Sequence, residues 1–244
     1  MKNYLVVIPA RLKSSRLPNK PLLKIGGIPM IIRTYNQCNK VVKKKDIIVA
    51  TDSYKIINIC KKNKINSILT SKNCKTGTDR IFQVSKKIKA KNYINVQGDE
   101  PILNPKDLSI MIKNLNKGHK TVLLGYCEFW NRKIMKNHNI PKVVFDKNKK
   151  LLYATRSPIP SNKKNNTTNG FRQILIYTYP KKIMNKFSQF YNKKSALEKI
   201  EDIEILRFLE YNIDTKLIKM SDVSKSVDTR RDLKEVEHII KRNN

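Results

Sequence analysis

Short apolar runs alternate with segments of helical length through the first half of this chain, and this alternation limits the possible folds more than any other feature. The apolar runs cover residues 4–8, 46–51, 65–69 and 93–96. Near-continuous apolar runs are typical of strands that are buried on both faces of a parallel sheet. Helices are predicted between them, from a start signal or an apolar face, at 30–39, 53–63 and 79–89. The pattern predicts a Rossmann-like, doubly wound α/β fold, whose ligands bind beyond the carboxyl ends of the strands.

The second half follows a different pattern. Its β-like runs lie at 121–128, 142–145, 151–155 and 172–179. The first three lack long helices between them, which predicts an antiparallel β extension of a mostly parallel, mixed sheet. The polar stretch 161–170 predicts a loop, and helices are predicted over 195–211 and 229–242. Because no repeat or linker divides the 244 residues, we predict a single domain, 1–244.

The formal net charge of +33 is the most extreme property of the composition. Taken alone, it indicates a nucleic-acid or anionic-membrane partner. The excess is mostly Lys and is spread along the whole chain, whereas surfaces that follow a phosphate backbone concentrate basic and aromatic residues in one stripe. We therefore interpret the charge as mainly solvated lysine, expect no nucleic-acid partner, and keep a basic nucleic-acid-binding protein as the alternative from another class.

The four cysteines are widely spaced and form no CxxC pair, so neither a zinc site nor a disulfide framework is predicted. No apolar stretch approaches the ~18 residues of a membrane helix. The apolar run at 4–8 is too short for the core of a signal peptide. These features predict a soluble, cytoplasmic protein without a membrane partner.

The first strand leads into a basic loop, residues 9–22, which contains cationic side chains, two hydroxyls and three prolines. It lies at the carboxyl edge of the predicted sheet, where backbone amides and cations can hold a triphosphate. The Walker spacing is absent. A solvated loop is the alternative, but Pro9, Pro18 and Pro21 stiffen this segment, and a rigid loop loses less entropy when it binds a ligand.

The fourth strand ends in Gly98, Asp99 and Glu100. Two adjacent carboxylates at the end of a buried strand are costly unless a cation or another partner neutralises them. Mg²⁺ prefers one or two carboxylates together with phosphate oxygens, so a magnesium site is one prediction. A turn whose acids cap a helix is the alternative.

Two further stretches each have a functional and a structural interpretation. Asp228 precedes the last predicted helix and is either a second metal ligand or, with Thr229, a helix cap. Thr76 and Gly77 precede the helix that carries Arg80, which suits close backbone contact with a base or ribose. An ordinary helix start has the same pattern, so spacing alone does not separate these alternatives.

The chain contains, in this order, IPARLKSSRLPNKPL, TGTDR, NVQGDEP, LYATRSPIP, LEKIEDIEILR and SVDTRRDL. In order and approximate spacing, these motifs resemble the 3-deoxy-D-manno-octulosonate (Kdo) cytidylyltransferases, also called CMP-Kdo synthetases, over essentially the full chain. The SRLPxKPL ending of the first motif is similar to the Kdo branch rather than to the related CMP-sialate synthetases. The resemblance implies a sheet of the nucleotide-diphospho-sugar transferase type. It also implies a Mg²⁺-dependent enzyme that makes CMP-Kdo and pyrophosphate from CTP and Kdo for lipopolysaccharide biosynthesis.

The resemblance also implies roles for residues that match the motifs. The catalytic residues would be Arg11, Lys20, Asp99 and Asp228, of which Asp99 and Asp228 would bind Mg²⁺. The nucleotide would contact Arg11, Ser14, Arg16, Lys20, Thr76, Gly77, Arg80 and Asp99. The sugar acid would contact Gln97, Arg156, Gln173, Tyr177, Glu201 and Glu204. The parts of the domain would be 1–118, mainly nucleotide-binding; 119–220, mainly sugar-binding and dimerisation; and 221–244, with the metal-binding Asp228 and the C-terminal helix.

Three stretches depart from the family pattern, all on the sugar side. Gln173 stands where the family has a sugar-contacting His, IPKVV replaces NAVKVV, and LYATRSPIP replaces LYFSRATIP. An amino-Kdo or another ulosonic acid therefore stays open as the substrate, and a CMP-sialate-type or other cytidylyltransferase is the alternative within enzymes. The partners implied by the resemblance are CTP, an acidic 3-deoxy sugar and a second copy of the chain in a homodimer.

Overall fold

A computed structural model describes residues 1–14, 16–115, 117–118 and 120–242. Its strands are β1 (Lys2–Ala10), β2 (Lys24–Ile25), β3 (Ile28–Pro29), β4 (Ile47–Thr51), β5 (Ser67–Leu69), β6 (Ala90–Val96), β7 (Val122–Trp130), β8 (Lys142–Phe145), β9 (Leu151–Thr155), β10 (Asn169–Pro180) and β11 (Thr215–Lys219). Its α-helices are α1 (Met30–Asn39), α2 (Tyr54–Lys62), α3 (Gly77–Lys87), α4 (Pro105–Leu115), α5 (Arg132–Lys136), α6 (Lys181–Phe187), α7 (Ala196–Glu201), α8 (Ile205–Glu210) and α9 (Arg230–Arg242).

The main sheet has the strand order β11-β7-β10-β6-β1-β4-β5. Strand β1 pairs in parallel with β4 and β6, and β11 pairs in parallel with β7. Strand β10 runs antiparallel to both of its neighbours, β6 and β7. The β8–β9 hairpin extends the sheet from β10. The prediction of a mostly parallel, mixed sheet with an antiparallel extension is confirmed.

Local sequence explains where the first helices begin. Ser53 caps α2, because its hydroxyl accepts a hydrogen bond from the Lys55 amide at 3.2 Å. Thr76 and Asp79 form a reciprocal capping box at the start of α3. The apolar faces of α2 and α3 are buried in the cores on the two faces of the sheet. Strands β1, β4 and β6 are largely buried, as their apolar runs predict, whereas β5 at the edge is half-buried.

A third apolar cluster, separate from the cores on the two faces of the sheet, joins the basic loop to the end of the chain. It contains the buried residues Leu17, Ile25, Met30, Val227, Val236 and Ile240. Leu17 belongs to the basic loop, and Val227 directly precedes Asp228. Burial of these side chains, at about 25 cal/mol per Å² of apolar surface, brings the basic loop and Asp228 to the same edge of the sheet.

The prediction of one helix over 195–211 is wrong, because the chain forms two short helices, α7 and α8. The break occurs at Asp202, whose φ of 51° lies in the left-handed region. It lets Glu204 reach the start of α3, where its carboxylate accepts hydrogen bonds from the amides of Gly77 and Thr78 at 3.0 and 2.9 Å. The Thr78 hydroxyl also donates to Glu204 Oε2, at 2.6 Å.

The predicted loop at 161–170 is also shorter than expected, because β10 begins at Asn169 and takes up its last two residues. All four cysteines are buried free thiols. Within the described ranges, no helix has the length and apolarity needed to span a bilayer.

Candidate active site

A cavity of about 300 Å³ lies at the carboxyl ends of β1 and β6. Its wall contains fourteen of the residues predicted for substrate or metal: Arg11, Ser14, Arg16, Lys20, Thr76, Gly77, Arg80, Gln97, Asp99, Arg156, Gln173, Tyr177, Glu204 and Asp228. Glu201 is not part of this wall. These residues come from distant parts of the chain, and the sheet brings them together where a doubly wound fold binds its ligands.

Asp99 and Asp228 meet at one cation. The Lys20 ammonium donates to Asp99 Oδ2 at 2.6 Å and to Asp228 Oδ1 at 3.1 Å. It also donates to the Val227 carbonyl at 3.0 Å. Burial lowers the pKa of Lys20, but the two carboxylates outweigh this effect and raise it overall, so the ammonium stays charged.

The two acids are not helix caps. At the start of α9, Thr229 Oγ1 accepts a hydrogen bond from the Asp232 amide at 3.2 Å, and Asp232 Oδ2 accepts from the Thr229 amide at 2.8 Å. Thr229 therefore supplies the cap, and the Asp228 side chain is directed to Lys20 and to Arg16 at 3.0 Å. Asp99 does not cap α4 either. Asn104 supplies that cap, because its Oδ1 accepts a hydrogen bond from the Lys106 amide at 3.1 Å.

The acid pair fits a divalent cation. Asp99 Oδ1 is buried and has no hydrogen-bond partner among the described residues. A hard cation would supply the missing positive partner, and Mg²⁺ uses one or two carboxylates with phosphate oxygens and water as its other ligands. Within the described ranges no group of three or more His, Cys, Asp or Glu side chains is placed to hold a metal, so those other ligands would come from substrate and solvent.

Glu100, the neighbour of Asp99, is a buried carboxyl whose Oε2 also lacks a partner among the described residues. Burial raises the pKa of Glu100 to about 8, and the charge of Asp99 acts in the same direction. Gly98 is required by close packing, since a Cβ atom there would lie 2.7 Å from the Pro9 carbonyl oxygen. The chain therefore places Asp99 directly beside the end of β1.

The basic loop follows β1 along the edge of the cavity. Ser14 Oγ accepts a hydrogen bond from the Leu17 amide at 3.3 Å and so closes a turn inside the loop. Arg11 and Arg16 are exposed and line the cavity with Lys20. Ser15 lies outside the described residues. The geometry places several positive charges opposite the acid pair, but it does not test contact with a triphosphate, which stays a prediction.

The start of α3 forms another part of the wall. Thr76 serves as the cap of α3, so the structural alternative for this residue holds, and it also faces the cavity. Gly77 packs tightly, since a Cβ atom there would lie 3.0 Å from Gln97 Nε2 and 3.2 Å from Pro9 Cγ. Contact of these residues with a cytidine stays a prediction.

Arg80 lines the same wall but is held by protein groups. Its guanidinium donates to Asp52 Oδ2 at 2.7 Å and to Thr70 Oγ1 at 2.6 Å. Sequence analysis did not identify Asp52, although its position directly after β4, at the carboxyl edge of the predicted sheet, is the same signal that identified Asp99 after β6.

On the predicted sugar side, two glutamates have structural partners. Glu201 accepts hydrogen bonds from Thr155 Oγ1 at 2.6 Å and from the Arg156 amide at 2.9 Å. Glu204 accepts from the start of α3, as described above. Their direct contact with a sugar stays a prediction, and the structure shows them positioning other parts of the wall.

Arg156 has a different set of partners. Its guanidinium donates to the carbonyl oxygens of Glu201, His138 and Asp202 at 2.6, 2.9 and 3.0 Å. All three acceptors are neutral, so they orient the guanidinium without cancelling its charge. An anionic group in the cavity can therefore still be attracted to Arg156.

Gln173 and Tyr177 lie on β10, and the Gln173 amide nitrogen donates to the Tyr177 hydroxyl. Gln173 is 4% exposed, and its Oε1 has no partner among the described residues. A buried unpaired amide oxygen is costly unless a ligand donates to it. Gln173 lines the cavity at the position where the resemblance implies a His.

A doubly wound sheet with a cavity beyond its strand ends, a basic loop and a facing acid pair defines a nucleotide-binding transferase. The family model for cytidylyltransferases matches residues 5–219, and the chain belongs to this family. A protein of Chloroherpeton thalassium named 3-deoxy-manno-octulosonate cytidylyltransferase is 38% identical over 240 residues, which cover 96% of each chain. A protein of Escherichia coli with the same name is 31% identical and covers 97% of this chain and 95% of its own.

Solved structures agree with this assignment. The structure of CMP:2-keto-3-deoxy-manno-octonic acid synthetase complexed with CTP matches with a TM-score of 0.90 at 30% identity and covers all of both chains. The inositol-1-phosphate CTP transferase from T. maritima matches with a TM-score of 0.68 at 10% identity, covering 98% of this chain and 95% of its own, and this likeness shows the fold alone.

The cap and the acid of the C-terminal segment can be separated by mutation. Asp228→Asn is expected to reduce turnover by at least about tenfold and to leave the free energy of unfolding nearly unchanged, because Thr229 still caps α9. Thr229→Ala is expected to cost about 1 kcal/mol of stability and to retain most of the activity. Steady-state kinetics and urea denaturation of both variants test this pair. The opposite pattern would identify Asp228 as a structural residue.

Proposed function

We propose that this chain transfers the cytidylyl group of CTP to Kdo, giving CMP-Kdo and pyrophosphate for lipopolysaccharide biosynthesis. The observation that carries the proposal is the meeting of Asp99 and Asp228 at Lys20, beside the basic loop, in a chain of the cytidylyltransferase family. The names of the relatives and the match over the full length of the synthetase supply the sugar substrate.

In the proposed reaction, the anomeric hydroxyl oxygen of the sugar forms a bond to the α-phosphorus of CTP. The bond from that phosphorus to the bridging oxygen breaks, pyrophosphate leaves with the electron pair, and the hydroxyl proton is released. Phosphoryl transfer of this kind depends mainly on alignment and on neutralisation of charge. A site made of cations and of acids that bind a metal is suited to it.

Different residues of the cavity bind the triphosphate, the cytidine and the sugar. Arg11, Ser14, Arg16 and Lys20 bind and orient the triphosphate, and Thr76, Gly77 and Arg80 lie along the cytidine. Arg156 orients the sugar carboxylate, with Gln97, Gln173 and Tyr177 beside it and Glu201 and Glu204 holding the wall. Mg²⁺ bound by Asp99 and Asp228 would lower the pKa of the sugar hydroxyl and neutralise charge on the α-phosphate.

A substrate panel tests the proposal. Purified protein is incubated with CTP, Mg²⁺ and one acidic sugar, and pyrophosphate release is followed by a coupled assay, with CMP-sugar formation checked by ³¹P NMR. Turnover with Kdo and none without sugar is expected. Activity with an amino-Kdo or a nine-carbon sialic acid, and none with Kdo, would identify that other sugar as the substrate. The absence of turnover with every 3-deoxy-ulosonic acid would refute the proposal.

The alternative from another class rests on the net charge of +33. A nucleic-acid-binding protein would bind RNA or DNA tightly, would lose affinity steeply as salt rises, and would keep that binding in Asp99→Asn. Filter binding at two salt concentrations distinguishes this alternative. The cytoplasmic location, the homodimer and the division of the domain into 1–118, 119–220 and 221–244 are further parts of our proposal.

A further inference from the structure

Two elements of the proposed nucleotide site meet at one acidic side chain that no motif identified. Asp52 directly follows β4 and is 13% exposed as a side chain. Its Oδ1 accepts a hydrogen bond from the Leu12 amide at 3.1 Å, and its Oδ2 accepts from the Arg80 guanidinium at 2.7 Å. Leu12 belongs to the basic loop and Arg80 to α3, so one carboxylate connects both.

Neither contact is required by the sheet itself. The pairing of β4 with β1 ends at Thr51 opposite Ala10, one residue before Asp52 and two before Leu12. Beyond this point, the Leu12 amide would have no strand partner, and Asp52 supplies the acceptor. The direction in which the basic loop leaves β1 therefore depends on this hydrogen bond.

The second contact orients a buried cation. The Arg80 side chain is 3% exposed and also donates to Thr70 Oγ1 at 2.6 Å and to the Ser71 carbonyl at 3.2 Å. Thr70 and Ser71 are neutral, so Asp52 is the negative partner in this set. Without Asp52, the nearly buried Arg80 guanidinium would lack a counterion and would turn toward other acceptors.

We infer that Asp52 is a positioning residue for the nucleotide, because its carboxylate holds the basic loop through Leu12 and the cytidine-side Arg80 in one arrangement. This inference rests on the proposed function. Both groups are held before the nucleotide enters, which reduces the entropy lost on binding. Asp52 itself does not line the cavity.

The test is Asp52→Asn, which keeps the shape of the side chain but removes its charge. The KM and the calorimetric Kd for CTP are expected to rise roughly 10- to 100-fold, as for loss of hydrogen bonds to a charged group. The KM for the sugar and kcat are expected to change much less, since the lost interaction supports nucleotide binding in general.

Asp46→Asn is the matched control. Asp46 immediately precedes the same strand at its amino end and pairs with Lys2 at 2.5 Å, far from the cavity. This variant removes an ion-paired aspartate next to β4 without touching the site, so its affinity for CTP is expected to equal that of the wild type. Melting curves of both variants show that the folded protein is being compared.

A purely structural ion pair would behave differently. Asp52→Asn would then melt at a lower temperature but bind CTP as the wild type does, and this result would overturn the inference. If Asp52→Asn does not fold, Asp52→Glu, which keeps the charge and moves it by one methylene, must show the same selective loss of CTP affinity. Wild-type protein that binds CTP but does not turn over Kdo would refute the proposed function while the binding comparison still tests Asp52.

Discussion

Asp99→Asn is expected to lower kcat/KM by on the order of 10³-fold, while the protein remains folded. The substitution removes a charged ligand from the proposed Mg²⁺ site, and a bound metal contributes several kcal/mol to stabilisation of the transition-state charge. Stability changes little, because the Asp99–Lys20 pair is partly exposed and Lys20 keeps Asp228 as a partner.

The measurement is pyrophosphate release from CTP and Kdo at saturating Mg²⁺, together with a melting curve. Asp214→Asn is a suitable control, since Asp214 forms an exposed ion pair with Lys150 and neither residue lines the cavity. Wild-type kcat/KM in folded Asp99→Asn would contradict the assignment of Asp99 to the metal.

Lys20→Met is expected to have the second largest effect, with a loss in kcat/KM on the order of 10²-fold. The variant removes a cation from the proposed triphosphate site. It also leaves Asp99 and Asp228 without their shared counterion, so the two carboxylates repel each other in the metal-free protein. Mg²⁺ would relieve this repulsion and stabilise the folded state by binding to it.

Thermal melting with EDTA and with Mg²⁺ measures this second effect. The rise in melting temperature on adding Mg²⁺ is expected to be larger in Lys20→Met than in the wild type. Lys13→Met is the control, because Lys13 is an exposed cation of the same basic loop that does not line the cavity. An equal rise in wild type and Lys20→Met would show that Lys20 does not neutralise the proposed metal site.

The prediction of the fold depended on features that are local in sequence. The continuous apolar runs predicted the strands of the first half within a few residues, because strands that are buried on both faces consist mostly of apolar residues. The helix over 195–211 failed, because the break at Asp202 is stabilised by a contact of Glu204 with α3, more than a hundred residues earlier in the chain. Helical periodicity carries no information about such a partner.

In the candidate site, too, motifs within short stretches were predictable and contacts between remote segments were not. Motif resemblance identified Asp228, but only the coordinates separate its side chain, which faces Lys20, from Thr229, which caps α9. Asp52 follows a strand as Asp99 does, but it was not identified, because it lacks the adjacent second carboxylate that drew attention to Asp99. Its importance becomes visible only through Leu12 and Arg80, which the folded chain brings to it.

By itself, the amino-acid sequence determined the class of sheet, the edge at which a ligand binds and the residue types available there. These follow from patterns of apolar side chains and from motifs within short stretches. Tertiary structure alone decided which acids share a cation, whether Asp228 or Thr229 caps α9, and which side chain holds the basic loop in place. Those choices depend on distances between remote segments, as when burial of the cluster around Leu17 and Val227 brings the basic loop to Asp228.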